Sequence, residues 1–254
     1  MKIYYLIPGP MGAGFEATTE LERRSSLLRK YAAPGTEIGI GDTEEGAASI
    51  ESAYEEYLCV PSMVRRAVAL EKEGWDAVIL GCYGDPGLDA IRELLSIPVV
   101  GPGEATVLMA ASLGDRFSII TIMPSAVAPM ERQMRSVGVS DKLASVRAVG
   151  IPVLELHSNR AHTVAAILAE GRKAIEHDRA DTLILGCMSM GFLEIAEEVA
   201  PQLGVPVLNP GKVSLKWAEG MVGAGLTHSR LAYMLPPKLA SGEVSSFEGL
   251  LHVA

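Results

Sequence analysis

The sequence predicts an α/β fold of two pseudosymmetric lobes, each a four-stranded, mostly parallel sheet flanked by helices, with a functional cleft between them. Three observations carry this expectation. Short apolar runs alternate with longer amphipathic ones, the pattern that βα units of a parallel sheet produce. One pattern occurs twice, WDAVILGC ending at Cys82 and ADTLILGC ending at Cys187, and each copy leads through a helical stretch to IPVVGPG at 97–103 or VPVLNPG at 205–211. Upstream, KIYYLIP at 2–8 lines up with SIITIMP at 118–124, so the first strand of each half runs into proline at the same step.

The elements follow in order. Apolar runs place strands near 2–7, 37–41, 77–81 and 97–100, then again near 117–122, 146–149, 183–186 and 205–208. The amphipathic segments between them, 15–31, 50–73, 86–95, 103–113, 126–137, 159–177, 190–202 and 211–223, read as helices. By the internal symmetry the helix at 103–113 belongs to the second half, and the helix at 211–223 crosses back to complete the first. The expected lobes are 1–101 plus 210–254, carrying Cys82, and 102–209, carrying Cys187. The tail beyond Gly225, with Pro236 and Pro237, reads as a surface extension.

Composition narrows the function. With 254 residues, 48% hydrophobic and 21% charged, the chain can bury a large core. A net charge of −9 argues against nucleic acid as a partner, because that affinity comes largely from clustered Lys and Arg. No stretch approaches the roughly 18 uninterrupted apolar residues of a membrane span. The apolar start ends at Pro8, too early for a signal peptide, and reads as the first strand. Three dispersed cysteines without a Cys-x-x-Cys pair argue against zinc or a disulfide framework and for a reducing, cytoplasmic location. The five histidines show no metal-ligand spacing.

The paired cysteines are the candidate chemistry. Each follows Leu-Gly at the carboxyl end of a buried strand, where open α/β sheets bind ligands. Each also precedes a helical stretch, whose free N–H groups and dipole would draw a thiol below its usual value of about 8.5. Cys59, inside the helical run YEEYLCVPSMV, reads as a core residue.

The strings LGCYGDPGLDAIRELLSIPVVGPGEA, VRAVGIPVLEL and LILGC followed by GVPVLNP resemble the Asp/Glu/hydantoin racemase superfamily, and within it the hydantoin and allantoin racemase branch. The resemblance spans nearly the whole chain. It implies two lobes with the site between them, no cofactor, a small-molecule substrate and a homo-oligomer. It implies that one of Cys82 and Cys187 removes a proton from a carbon next to a carbonyl as thiolate. The other, as thiol, returns one to the opposite face, and the roles swap for the other enantiomer.

Inversion needs an acid and a base on opposite sides of a planar intermediate. A mismatch of roughly five pKa units would cost about 7 kcal/mol, and one aimed oxyanion donor recovers about 3 to 4. At least two donors are therefore expected. The candidates are N–H groups in Tyr83-Gly84 and Met188-Ser189.

The expected substrate-binding residues are Pro8, Gly9, Tyr83, Gly84, Asp85, Ser125, Met188 and Ser189. Glu104 is a further candidate beside a strand end, Tyr83 could stack on a flat ring, and Asp85 could cap the helix from 86 or bind a substrate N–H. His157 could approach the cleft from after the LEL run, although a solvent-exposed position is the commoner fate of such a residue. The chain also departs from the family pattern. Ile7-Pro8-Gly9-Pro10 stands where hydantoin racemases carry Asn-Pro-Asn-Thr, and Met188-Ser189-Met190 where they carry Ala-Gly-Met. Neither cysteine is followed by the Asn-Thr of amino-acid racemases, which favours a cyclic ureide.

Other readings compete. Related folds host a cysteine-dependent maleate isomerase and an arylmalonate decarboxylase; such decarboxylases use one cysteine, so retention of both favours racemisation. A non-catalytic two-lobed binding protein would be indifferent to Cys→Ser changes. Gly12-Ala13-Gly14-Phe15-Glu16-Ala17 before a helix, with Asp42 ending the next strand, fits a weak dinucleotide-binding pattern, which leaves the cysteine pair unexplained.

Overall fold

The computed structural model describes residues 1–11, 15–245 and 249. The first sheet holds β1 (Lys2–Ile7), β2 (Glu37–Asp42), β3 (Ala77–Leu80) and β4 (Val99–Val100) in the order β2-β1-β3-β4. The second holds β5 (Phe117–Thr121), β6 (Leu143–Ala148), β7 (Thr182–Leu185) and β8 (Val207–Leu208) in the order β6-β5-β7-β8. Every pairing is parallel, and the two strand orders superpose term by term. The central strands β3, β5 and β7 are buried at every residue, as expected where helices cover both faces of a parallel sheet.

Parallel neighbours require crossovers. In the first half these run through α1 (Phe15–Tyr31), α2 (Ala53–Lys72) and α3 (Leu88–Leu94). The second half uses α5 (Val127–Val137), α6 (Arg160–Glu176), α7 (Met188–Phe192) and α8 (Ile195–Leu203), and α4 (Pro102–Leu113) joins β4 to β5 between the sheets. Helix α9 (Pro210–Gly223) then packs against β3, β4, α1 and α4, while α4 also contacts β7. The last described helix, α10 (Pro237–Ala240), is a single turn.

Two expectations require correction. The strand expected from 146 begins at Leu143. The single helix expected over 190–202 is two helices, broken at Leu193 and at Glu194, which adopts φ 53°. Distant donors stabilise the break by bonding carbonyls at it. Arg23 donates to Phe192 O, Arg160 Nη2 to Leu193 O at 3.2 Å, and Asn209 Nδ2 to Gly191 O at 2.9 Å. Short α7 thereby tucks Met188 and Phe192 into the apolar cluster formed by Ile3, Tyr5, Ile7 and Leu215.

The tail is seated on the first sheet's flank. Thr227 Oγ1 donates to Ser96 O at 2.7 Å, the Val99 N–H donates to His228 Nε2 at 2.9 Å, and Arg230 reaches the carbonyls of Arg92 and Glu93. Among the described residues no helix is long and apolar enough to cross a membrane.

Candidate active site

The Leu-Gly-Cys step recurs because of what faces the glycine. A Cβ on Gly81 would stand 2.7 Å from Leu6 O, and one on Gly186 would stand 2.6 Å from Ile119 Cγ2. Only glycine lets β3 and β7 leave their sheets so close to β1 and β5. The next residues, Cys82 and Cys187, emerge at equivalent strand ends and line one cavity of about 1130 Å³. Both are free thiols.

Every expected substrate-binding residue, from Pro8 and Gly9 to Met188 and Ser189, borders this cavity, but several of their polar groups are already engaged. The Gly9 N–H donates to Thr43 Oγ1 at 2.7 Å. Gly9 also sits at φ +76°, with Ala47 O 2.0 Å from where a Cβ would be, so the bend after Pro8 requires glycine. Ser125 Oγ donates across the cleft to Glu51 O at 2.7 Å. Glu51 Oε1 in turn accepts the Val153 N–H at 2.8 Å, and together these bonds latch the two halves.

Tyr83 is 2% exposed and packs with Val107, Met130 and Ile184. A ring held that way is core rather than a stacking platform, and its buried hydroxyl has no hydrogen-bond partner among the described residues.

Asp85 caps a different helix from the one expected. It accepts the N–H groups of Gly103 at 2.8 Å and Glu104 at 2.7 Å, at the start of α4, and also Gln133 Nε2 at 2.9 Å. Helix α3 begins instead after Gly87, at φ 70° and without a side-chain cap. Glu104 is held by both terminal nitrogens of Arg92, at 2.9 and 2.8 Å. Asp42 Oδ2 accepts the Met11 N–H at 2.7 Å. Residues 12–14 of the glycine pattern lie outside the described residues.

The thiols are not acidified as expected. Burial pushes both Cys82 and Cys187 up, against the N–H of Gly84 at Cys82 and those of Met190 and Ser189 at Cys187. Cys82 precedes a turn rather than a helix, since α3 starts six residues later. Of the backbone donors expected to hold an oxyanion, those of Gly84 and Ser189 therefore point at sulfur. A buried thiolate with a raised pKa is scarce but a stronger base, which narrows its gap to a carbon acid.

The Asp/Glu/hydantoin racemase family model matches residues 12–218. The chain belongs to that family. It is 36% identical over 204 residues to a hydantoin racemase from Pseudomonas sp. (strain NS671), covering 80% of this chain and 81% of that one. A solved allantoin racemase from Pseudomonas fluorescens superposes with a TM-score of 0.86 at 32% identity, covering 93% and 97% of the two chains. One from Klebsiella pneumoniae gives 0.83 at 28% identity, covering 93% and 94%.

For a member of the Asp/Glu/hydantoin racemase family, the cavity contains polar residues that sequence reasoning missed. Arg24 of α1 is 8% exposed, donates to Ser189 Oγ at 3.2 Å and to Glu20 Oε1 at 2.6 Å, and lies 5.0 Å over the Phe192 ring. Glu56 of α2 stands on the Cys82 side, its Oε2 3.7 Å from a Cβ built on Gly84. Burial raises Glu56, against the pull of Arg132. His157, for which the sequence offered both cleft and solvent, does both: it lines the cavity 3.8 Å from Glu20 and keeps 37% of its side chain exposed. The ERR run at 22–24 looks like a solvated helix face, so nothing local marks Arg24 as buried.

Proposed function

We propose that this protein is a cofactor-independent racemase of hydantoin-like cyclic ureides, of the hydantoin or allantoin type, with Cys82 and Cys187 as its acid–base pair. One observation carries the reading: two cysteines after equivalent strands of two symmetric sheets line one cavity, in a chain whose close relatives are hydantoin and allantoin racemases.

One thiolate takes the hydrogen from the ring carbon beside the carbonyl. The C–H electron pair forms the C=C bond of a planar enolate as the carbonyl π pair moves onto the oxygen. The opposite thiol then donates its proton to the other face of the carbon, and the enolate electrons form the new C–H bond. Thiol and thiolate have exchanged places, and the product is the mirror image. The site returns to its starting state by proton exchange with solvent or by turning over the opposite enantiomer. Nothing in these steps requires a cofactor.

Charge supports a ureide over a dicarboxylate. Glu56 and Asp85 stand near Cys82, and the buried guanidinium of Arg24 is already engaged by Glu20 and Ser189. A neutral ring with N–H donors suits Glu56 as acceptor, which a dianion would meet as like charge once ionised. A reducing, cytoplasmic location fits three free thiols. A homo-oligomer fits exposed Tyr54, Tyr57 and Leu58, which fall on one face of α2; sedimentation velocity tests it.

The deciding experiment incubates single enantiomers of allantoin and 5-substituted hydantoins in D₂O with and without enzyme. Enzyme-dependent loss of optical rotation together with deuterium at the α-carbon is expected. Binding without exchange, or conversion of maleate-like diacids instead, would overturn the reading.

A further inference from the structure

The two thiols share a cavity but not an electrostatic environment. At Cys187 a cation arrives from the other half of the molecule. Arg24 lies on α1, beside the first sheet, yet its Nη2 bonds Ser189, which follows Met188 in the helix that Cys187 begins. Its counter-ion is shared. Glu20 accepts Arg24 Nε at 2.6 Å, and Arg23 donates to both Glu20 oxygens at 2.7 and 2.8 Å. One carboxylate thus balances two guanidiniums, and net positive charge remains beside Cys187.

Burial works against ionisation of Glu20, but the two arginines bring its pKa down to about 2, so it stays charged. His157 adds no charge at neutral pH, since burial lowers it further than Glu20 raises it. The Tyr5 phenol feels both thiols and Arg24, and burial keeps it protonated. The Ser189 hydroxyl and the N–H groups of Ser189 and Met190 complete the donors around Cys187.

At Cys82 the charge has the opposite sign. Burial opposes ionisation there first, against the backbone N–H of Gly84, and then Cys187 once charged, Glu56, which Arg132 faces in turn, and Asp85 oppose it too. An anion at one sulfur therefore discourages a second at the other.

We propose that Arg24 is a positioning residue that makes Cys187 the thiol that ionises first and leaves Cys82 as the resting acid. The free enzyme is then primed for the enantiomer whose hydrogen faces Cys187, and the other enantiomer must wait for the proton to change places. The proposal rests on the two-thiol reading above, but its test needs no substrate.

The test is the pH profile of iodoacetamide alkylation at each cysteine of the full chain, resolved by peptide mass spectrometry. The midpoint of each profile, unlike the absolute rate, separates ionisation from access. In the wild type the Cys187 midpoint is expected below that of Cys82. Arg24→Gln should raise the Cys187 midpoint by about one pH unit, slowing its alkylation near neutral pH about tenfold. Arg24→Lys should restore part of that. Glu20→Gln should move the Cys187 midpoint the other way, because it removes the shared counter-charge. A wild-type Cys82 midpoint below that of Cys187, or Arg24→Gln and Glu20→Gln shifting Cys187 in the same direction, would overturn the proposal. If Arg24→Gln fails to fold, the wild-type order and the Glu20→Gln direction still decide. A racemase in which Cys82 ionises first would remove this inference and leave the function standing.

Discussion

Asp85 accepts the backbone N–H of Gly103 at 2.8 Å, and so a residue three places beyond Cys82 caps the helix that opens the second half of the chain. The approach is close. A Cβ on Gly103 would lie 2.2 Å from Tyr83 O, and one on Gly101 would lie 2.6 Å from Asp85 Cγ. The loop carrying Cys82 is thereby fixed against α4 and, through Gln133, against α5.

That burial makes Asp85 a pH-dependent element. Burial raises its pKa from 3.8 to about 7 even though two N–H groups favour the charged form. The folded state thus holds a proton that the unfolded chain releases. Its contribution to stability is complete below about pH 4 and lost as pH rises through about 7. At about 1.4 kcal/mol per pH unit the ceiling is about 4 kcal/mol. Asp85→Asn cannot titrate, so the urea-unfolding free energy of the wild type should fall relative to this variant between pH 4.5 and 7.5. A constant difference across that range would show that Asp85 does not titrate there.

Removing one thiol should separate exchange from inversion. Cys82→Ser and Cys187→Ser should each lower racemisation at least about 100-fold, within the range of a lost general acid or base. The remaining thiol still faces one side of the ring, so each variant should incorporate deuterium into one enantiomer and not the other, with opposite preferences. NMR of each enantiomer in D₂O reads this directly. Wild-type racemisation by both variants would end the two-thiol mechanism.

The repeat was legible because buried parallel strands are written as continuous apolar runs, and AVIL at 77–80 and TLIL at 182–185 need no partner to be recognised. Leu-Gly-Cys was legible for the same local reason. What escaped depends on contacts across long sequence distances. Arg23 reaches Phe192 over 169 residues to stabilise the break between α7 and α8, and Arg24 reaches Ser189 over 165. Helical periodicity contains neither fact. The thiols were misjudged because the burial that opposes the helix start at Cys187 is not visible in sequence, and because the segment after Cys82 folds as a turn before α3.

Cys59 should behave as a structural residue. It is 0% exposed, its Sγ accepts the Ala47 N–H at 3.3 Å, and a Cβ on Gly46 would approach that sulfur to 2.9 Å. Burial raises its thiol, which keeps it unreactive. Cys59→Ser preserves an acceptor for Ala47 and should cost about 1 kcal/mol, with kcat and KM unchanged. In the native wild type, iodoacetamide near pH 7 should leave Cys59 unmodified. Lost turnover in a Cys59→Ser protein of wild-type circular dichroism would place this thiol in the chemistry after all.

The tail should respond to acid through His228. Its Nε2 accepts the Val99 N–H at 2.9 Å, and its ring meets Tyr233 edge-on at 5.6 Å. Burial and then the charge of Arg92 lower its pKa from 6.5 to about 4. A depressed folded pKa means that the stabilisation is complete above about 6.5 and lost as pH falls through about 4. Protonation would set one N–H against another, since a charged imidazole has donors on both nitrogens. Hydrogen exchange at the Val99 amide, corrected for its intrinsic rate, should therefore accelerate between pH 6 and 3.5 while amides of β1 remain protected. His228→Gln supplies an amide oxygen that accepts without titrating, and it should keep Val99 protected over the whole range. Undiminished protection of Val99 in the wild type at pH 3.5 would mean that this histidine is not what holds the tail against β4.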